Sequence, residues 1–157
     1  MLRFAVLILT ALILSATLAL AADQPNLSGN WKLDVAQSDF GGSPPPDSMT
    51  RKIEHREPSL ILSDEQISPL GTEKAVRNYT TDAKETTYQW MGSEVKSAAH
   101  WEGNAMRIVG KVDAGGAEIV VISTLTLSPD GKTLTENDKV TAGGNEIAAL
   151  KIIFVKQ

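Results

Sequence analysis

From Asn30 onward the chain repeats one pattern. Short runs in which Val, Ile, Leu, Thr, Tyr or Trp alternate with polar residues are cut about every ten to fifteen residues by Gly, Pro, Asn or Asp. Such period-two alternation puts every second side chain on one face, so each run predicts a half-buried antiparallel strand. Residues 30–36 set Trp31, Leu33 and Val35 on one face and Lys32, Asp34 and Ala36 on the other. The same reading places strands at 50–57, 60–63, 73–81, 84–91, 94–101, 105–112, 117–127, 133–141 and 146–156. Between them stand residues with turn chemistry, among them Gly92-Ser93, Pro129-Asp130-Gly131 and Gly143-Gly144-Asn145. Residues 37–48 carry Gly41-Gly42 and Pro44-Pro45-Pro46, which no helix or central strand accommodates, and predict a long loop.

About eight to ten sequential strands with no helix between them describe an all-β, antiparallel up-and-down meander. Its two free edges are hidden most completely if the sheet closes on itself, which predicts a barrel. The same turn spacing would also serve a two-sheet β-sandwich. A bulge at a glycine such as Gly110 would exchange the inner and outer faces of everything after it, so alternation alone does not say which face is inside.

The exception to this pattern is the N-terminus. Arg3 precedes an apolar run from Phe4 to Leu14, and Ala19-Leu20-Ala21 supplies small residues at the two positions a signal peptidase requires. Residues 1–22 therefore read as a signal peptide and 23–157 as a single mature domain. The stretch of 19 uncharged residues from Phe4 to Ala22 could also just span a bilayer as a retained anchor. The Ala-rich end and the polar Asp23-Gln24-Pro25-Asn26 favour cleavage, with a mature protein in the periplasm or secreted and no membrane contact afterwards.

Of 15 basic residues only Arg3 belongs to the leader, so residues 23–157 hold 14 against 19 acidic ones, a net charge of −5. That balance argues against nucleic acid as a partner. The absence of cysteine removes disulfides, thiolate metal sites, thiol nucleophiles and lipidation after the leader.

Asn26-Leu27-Ser28-Gly29-Asn30-Trp31-Lys32-Leu33 lies just inside the mature start. Its Gly29-x-Trp31 core resembles the first-strand motif of lipocalins and their calycin relatives. With the meander and the Ser128-Pro129-Asp130-Gly131-Lys132-Thr133-Leu134-Thr135 hairpin, the chain is similar to small secreted bacterial proteins of lipocalin-like type, most without an assigned activity. The resemblance implies that the glycine lets the chain enter the barrel closely and that Trp31 plugs its closed end. The arginine that usually stacks on that tryptophan has only Lys151 and Lys156 as counterparts here, and the helical cover of fatty-acid-binding proteins is replaced by the Pro-rich loop.

A barrel of this size can enclose one small molecule. Alternation groups Arg77 with Tyr79 and Tyr88 with Trp90, while Trp101 shares a face with Val95, Ser97 and Ala99. If these faces point inward, Arg77 needs an anionic partner, which could be a ligand carboxylate or an acidic neighbour at the rim. Arg77, Tyr79, Tyr88, Trp90 and Trp101 are the candidate ligand-binding residues. His55 and His100 are the only histidines and show no metal-ligand spacing, so no metal, cofactor or catalytic residue is expected. No serine has a nucleophile-elbow context and no glycine pair opens a helix for phosphate.

The expectation is a monomeric, non-enzymatic exported protein that holds a small hydrophobic or amphipathic molecule inside a β-barrel. Two other readings compete: an envelope module whose 37–48 loop meets a protein or glycan, and a small isomerase or hydrolase with a polar cluster inside the barrel.

Overall fold

The computed structural model describes residues 24–90 and 92–157, so the expected leader at 1–22 lies outside the described residues. Ten strands follow in order: β1 (Gly29–Leu33), β2 (Ser48–Arg56), β3 (Ser59–Ser68), β4 (Gly71–Thr80), β5 (Thr86–Trp90), β6 (Ser93–Glu102), β7 (Ala105–Asp113), β8 (Glu118–Leu127), β9 (Thr133–Ala142) and β10 (Asn145–Lys156). They form one antiparallel sheet ordered β4-β3-β2-β1-β10-β9-β8-β7-β6-β5. Pairing of the first strand with the last rolls the meander up, with Trp31 opposite Lys156 and Leu33 opposite Phe154. The fold is an up-and-down barrel, and the two-layer sandwich does not form.

Closure is not complete. Among the described residues no ladder joins β4 to β5. At one end of this seam Asp82 bridges to His100 and the Ala83 N–H donates to the Ala99 carbonyl at 2.9 Å. Further along, Tyr79 of β4 and Tyr88 of β5 meet edge to face across it, their centroids 6.1 Å apart. Aromatic contact thus stands where hydrogen bonds would have closed the sheet.

Register runs unbroken through Gly110, and the shift recorded between paired strands lies between Glu146 and Ala148 of β10. Inside and outside therefore follow simple alternation over most of the barrel. The observed β3 extends to Ser68, five residues beyond the expected end at Ser63. Asp64 and Gln66 interrupt the apolar pattern there because they face the interior of the barrel.

One end is packed solid. Leu27, Trp31, Ile53, Leu60, Met106, Leu125, Leu134 and Phe154 are fully buried. Trp31 donates its indole N–H to the Leu27 carbonyl at 3.2 Å, and the Leu27 N–H donates to His55 Nδ1 at 3.3 Å. The N-terminal segment is thereby tied across the end of the barrel. Lys156 supplies the cation over Trp31, with Nζ 5.3 Å from the ring centroid. A Cβ at Gly29 would lie 2.9 Å from Lys156 Cε, so a side chain there would displace the lysine from the ring.

At the other end the chain from β1 to β2 is pinned to β10. Asp39 and Lys151 exchange backbone hydrogen bonds of 2.7 and 2.8 Å, and the Ile153 N–H donates to Ser38 Oγ at 2.9 Å. Gly41, at φ +61°, passes so close to β10 that a Cβ would sit 2.7 Å from the Ala149 carbonyl oxygen. The Pro-rich segment therefore has a fixed seat over the mouth of the barrel.

Trp31→Ala should lower the unfolding free energy by about 3–5 kcal/mol, the range for emptying a large buried aromatic site. Lys156→Ala should cost far less, since only the exposed cation is lost. Urea unfolding of the two variants checks the order, and equal losses would deny Trp31 its role as the plug.

Candidate functional site

Above the packed end the barrel holds a cavity of about 570 Å³. Side chains of β6 to β9 form an apolar wall that includes Val95, Ile108, Val112, Val121 and Val140. Phe40 and Pro46 from the β1–β2 loop, Met49 of β2 and Trp90 of β5 also line the space. This size falls within the roughly 300–1,000 Å³ of small-molecule sites.

The cavity is not uniformly apolar. Arg51, Asp64, Arg77, Ser123, Glu136 and Asp138 all line it. Arg51 is 3 % exposed, and each of its nitrogens is engaged: Nε donates to Asp64 Oδ1 at 2.7 Å, Nη2 to Asp64 Oδ2 at 2.9 Å and Nη1 to Glu136 Oε2 at 2.6 Å. Asp64 faces Arg51 directly across the β2–β3 ladder, whereas Glu136 comes from β9, which is not adjacent to β2. The guanidinium also lies over Phe154, 4.5 Å from the ring centroid. Arg77 Nη2 joins the group by donating to Asp64 Oδ2.

Burial alone would lower the Arg51 pKa, but Glu136 and Asp64 outweigh it and raise that pKa above the usual value. Burial would likewise raise the Asp64 carboxyl; the charges and hydrogen bonds of Arg51 and Arg77 hold it below its usual range. Asp138 behaves differently. Burial, then the neighbouring charge of Glu136, push it up to about 7, against the weaker opposing influence of Ser123, Arg51 and Arg77. Burial also pushes the Tyr79 phenol well above its usual value, so it stays protonated at neutral pH.

Among the residues singled out from the sequence, Arg77, Tyr79, Tyr88 and Trp90 all line this cavity. The acidic partner of Arg77 is Asp64 on the neighbouring strand, and it lies in the interior, not at the rim. Trp101 lies apart. It shares the inward face of β6 with Val95 but sits near the opposite end of that strand, where its indole N–H donates to Glu57 Oε1 at 2.7 Å. His55 Nε2 lies 2.9 Å from the same oxygen, and Thr81 Oγ1 donates to Glu57 Oε2. Since His55 Nδ1 accepts from Leu27, its Nε2 carries the proton given to Glu57. The His55, Glu57 and Trp101 group thus seals the packed end. His100 lies 3.2 Å from Glu102 at the surface.

Sequence reasoning missed Arg51, Asp64, Glu136 and Asp138, since a charged residue in an alternating strand ordinarily reads as the solvent face. A signal was present in parity. Arg51 continues the face of Met49 and Ile53, Asp64 that of Leu60 and Leu62, and Glu136 that of Leu134. No group of three or more His, Asp or Glu suited to a metal ion occurs among the described residues.

No protein-family model matches the chain, and no curated protein matches it. Solved structures do. An abundant heat-soluble (SAHS) protein from Ramazzottius varieornatus aligns with a TM-score of 0.63 at 16 % identity, over 83 % of this chain and 94 % of that one. The zebrafish ileal bile acid-binding protein in complex with cholic acid gives 0.54 at 16 % identity, over 83 % and 98 %. The fatty-acid-binding protein isolated from Manduca sexta gives 0.53 at 18 % identity, over 83 % and 99 %. At such low identity the likeness establishes architecture: the chain has the lipocalin-like, calycin-type barrel fold.

Proposed function

We propose that the protein is an exported, monomeric, non-enzymatic carrier that holds one small amphipathic molecule inside the barrel. The observation that carries this reading is the cavity of about 570 Å³ with an apolar wall beside buried, charged side chains. An apolar body would lie against Val95, Val112, Val121 and Val140, where transfer from water supplies about 25 cal/mol per Å² of buried surface. Arg77, Tyr79, Tyr88 and Trp90 would contact it from the side of the seam. Two structural neighbours carry bile-acid or fatty-acid binding in their names, which favours a binding role over an enzymatic one. The residue pattern at 1–22 supports export.

The polar interior supports the same reading energetically. A barrel serving only as scaffold is packed most simply with apolar residues, whereas buried ion pairs often contribute less than hydrophobic replacements of similar volume. Asp138 is a particular liability. Its pKa in the folded chain stands at about 7 against an ordinary 3.8, so the unfolded chain ionises first as pH rises. The stability Asp138 allows is intact below pH 3.8 and falls through the interval up to about 7, beyond which the loss is constant. The full displacement is equivalent to roughly 4 kcal/mol at most.

Three measurements test these points. N-phenyl-1-naphthylamine, a neutral fluorescent probe, should brighten on entering the cavity, and Val121→Trp, which takes up part of the space, should weaken the signal while leaving the β-sheet circular dichroism unchanged. Undiminished brightening in that variant would place the probe elsewhere. Expression in a Gram-negative host should release a periplasmic form lacking the first 21 or 22 residues by intact mass, and a membrane-bound full-length product would remove the export reading. Asp138→Asn, which mimics the protonated side chain, should match the wild type in stability near pH 4 and exceed it progressively up to pH 7 and beyond; parallel stability profiles would show that Asp138 carries no raised pKa.

A further inference from the structure

A molecule held inside the barrel needs a way in, and two routes lead to the cavity: the mouth beneath the β1–β2 loop and the seam between β4 and β5. They differ in what must break. The loop is fastened at both ends. Asp39 and Lys151 exchange backbone hydrogen bonds of 2.7 and 2.8 Å, the Ile153 N–H donates to Ser38 Oγ at 2.9 Å, and the Asp47 N–H donates to the Ile67 carbonyl at 2.9 Å. Lifting the loop from the mouth would strip these groups of their partners.

The seam carries no such bonds. Among the described residues no backbone hydrogen bond joins β4 to β5. Towards the packed end it is held by the Ala83 N–H donating to Ala99 and by the contact of Tyr79 with Tyr88. Towards the mouth the two strands are unequal, because β4 has ten residues and β5 five. β5 ends at Trp90, just past Tyr88, whereas β4 runs from Tyr79 back through Arg77, Ala75 and Glu73, all of which line the cavity. Trp90 lines the cavity too, yet it is 50 % exposed, so its ring stands between the interior and solvent. A side chain already half in water gives up little buried apolar surface when it turns outward, and exposed rotamers exchange in picoseconds to nanoseconds.

Resting on the carrier reading, we propose that the ligand enters and leaves sideways, through the β4–β5 seam between Ala75 and Arg77 on one side and Trp90 on the other. Trp90 is the gate, the contact of Tyr79 with Tyr88 is the inner limit of the opening, and the Pro-rich loop stays seated during exchange. A gate alters the barrier and leaves the bound state as it is, so it sets the rates of association and dissociation together and not the affinity.

The chain has no cysteine, so introduced pairs can be bridged selectively. One pair, Asn78→Cys with Gln89→Cys, uses exposed positions of β4 and β5 that do not line the cavity; the other, Ser43→Cys with Ala149→Cys, uses exposed positions of the loop and β10. Each is joined by a short bis-maleimide, and binding of N-phenyl-1-naphthylamine is followed by stopped-flow fluorescence. Bridging the seam should slow association and dissociation each by about tenfold or more, with Kd shifted by less than about threefold, and bridging the loop should change neither rate by more than about twofold. Slowing by the loop bridge, or none by the seam bridge, would overturn the sideways route. Trp90→Ala gives an independent reading should a bridged protein lose its β-sheet circular dichroism. Its association rate should rise by about threefold or more, since loss of a ligand contact alone speeds only dissociation; an unchanged association rate would overturn the gate. Failure of the probe to bind the wild type would remove the carrier reading itself, a result distinct from any change in rate.

Discussion

The guanidinium of Arg51 is the group on which the interior of this barrel is organised. It is buried beside Trp31 and Phe154, at the boundary between the packed end and the cavity. A cation in that position is sustainable only if carboxylates meet it in well-formed geometry, and Asp64 and Glu136 do so from two different sides of the barrel. Because Glu136 lies 85 residues away in the chain, the contact forms only when the sheet has closed through β1 and β10. Removing either acid would leave an uncompensated buried charge. The network thus ties the register of β2, β3 and β9 together, and it fixes the electrostatic character of the space above it.

A second constraint follows from incomplete closure. β4 and β5 are free edges, and exposed edges invite pairing with other chains. The sequence counters this in several ways. β5 is only five residues long, β4 exposes Lys74 and Asn78 on its outer face, and Arg77 points a charge inward. Tyr79 and Tyr88 then hold the two edges together by contact between rings. A seam held by side chains can separate without breaking a ladder, so the side of the barrel that carries four of the candidate ligand contacts is also the one that can yield at the smallest energetic cost.

The architecture was legible because turns and alternation are local properties. Glycine and proline placement marked most connections, and the pairing of strand with next strand needs no long-range information. The content of the cavity was less legible because inside and outside are tertiary properties. Alternation put Arg77 with Tyr79 and Tyr88 with Trp90 correctly, but it could not tell that Asp64, Glu136 and Asp138 face inward, since a polar residue looks the same on either face. That ambiguity also shortened the expected third strand at Ser63, where the first interior acid begins. Trp101 shows the complementary limit: parity gives the face of a strand but not the height along it, and four positions beyond Ser97 the inward side of β6 has already reached the packed end.

The loop between β1 and β2 bears on the reading in which the barrel is only a scaffold for surface contacts. A loop built to meet an external partner should present its apolar residues outward and keep its backbone free to adapt. Here Phe40 and Pro46 are half-buried and line the cavity, and the segment is fastened to β10 through Asp39, Ser38 and the close approach at Gly41. Its composition thus serves the interior. Proline restricts the chain over the mouth without needing the hydrogen bonds of a helix, and Gly41 lets it fit against the neighbouring strand. The same residues that exclude helix from this stretch allow the loop to close over a cavity, and that combination favours a molecule held within the barrel over one met at its surface.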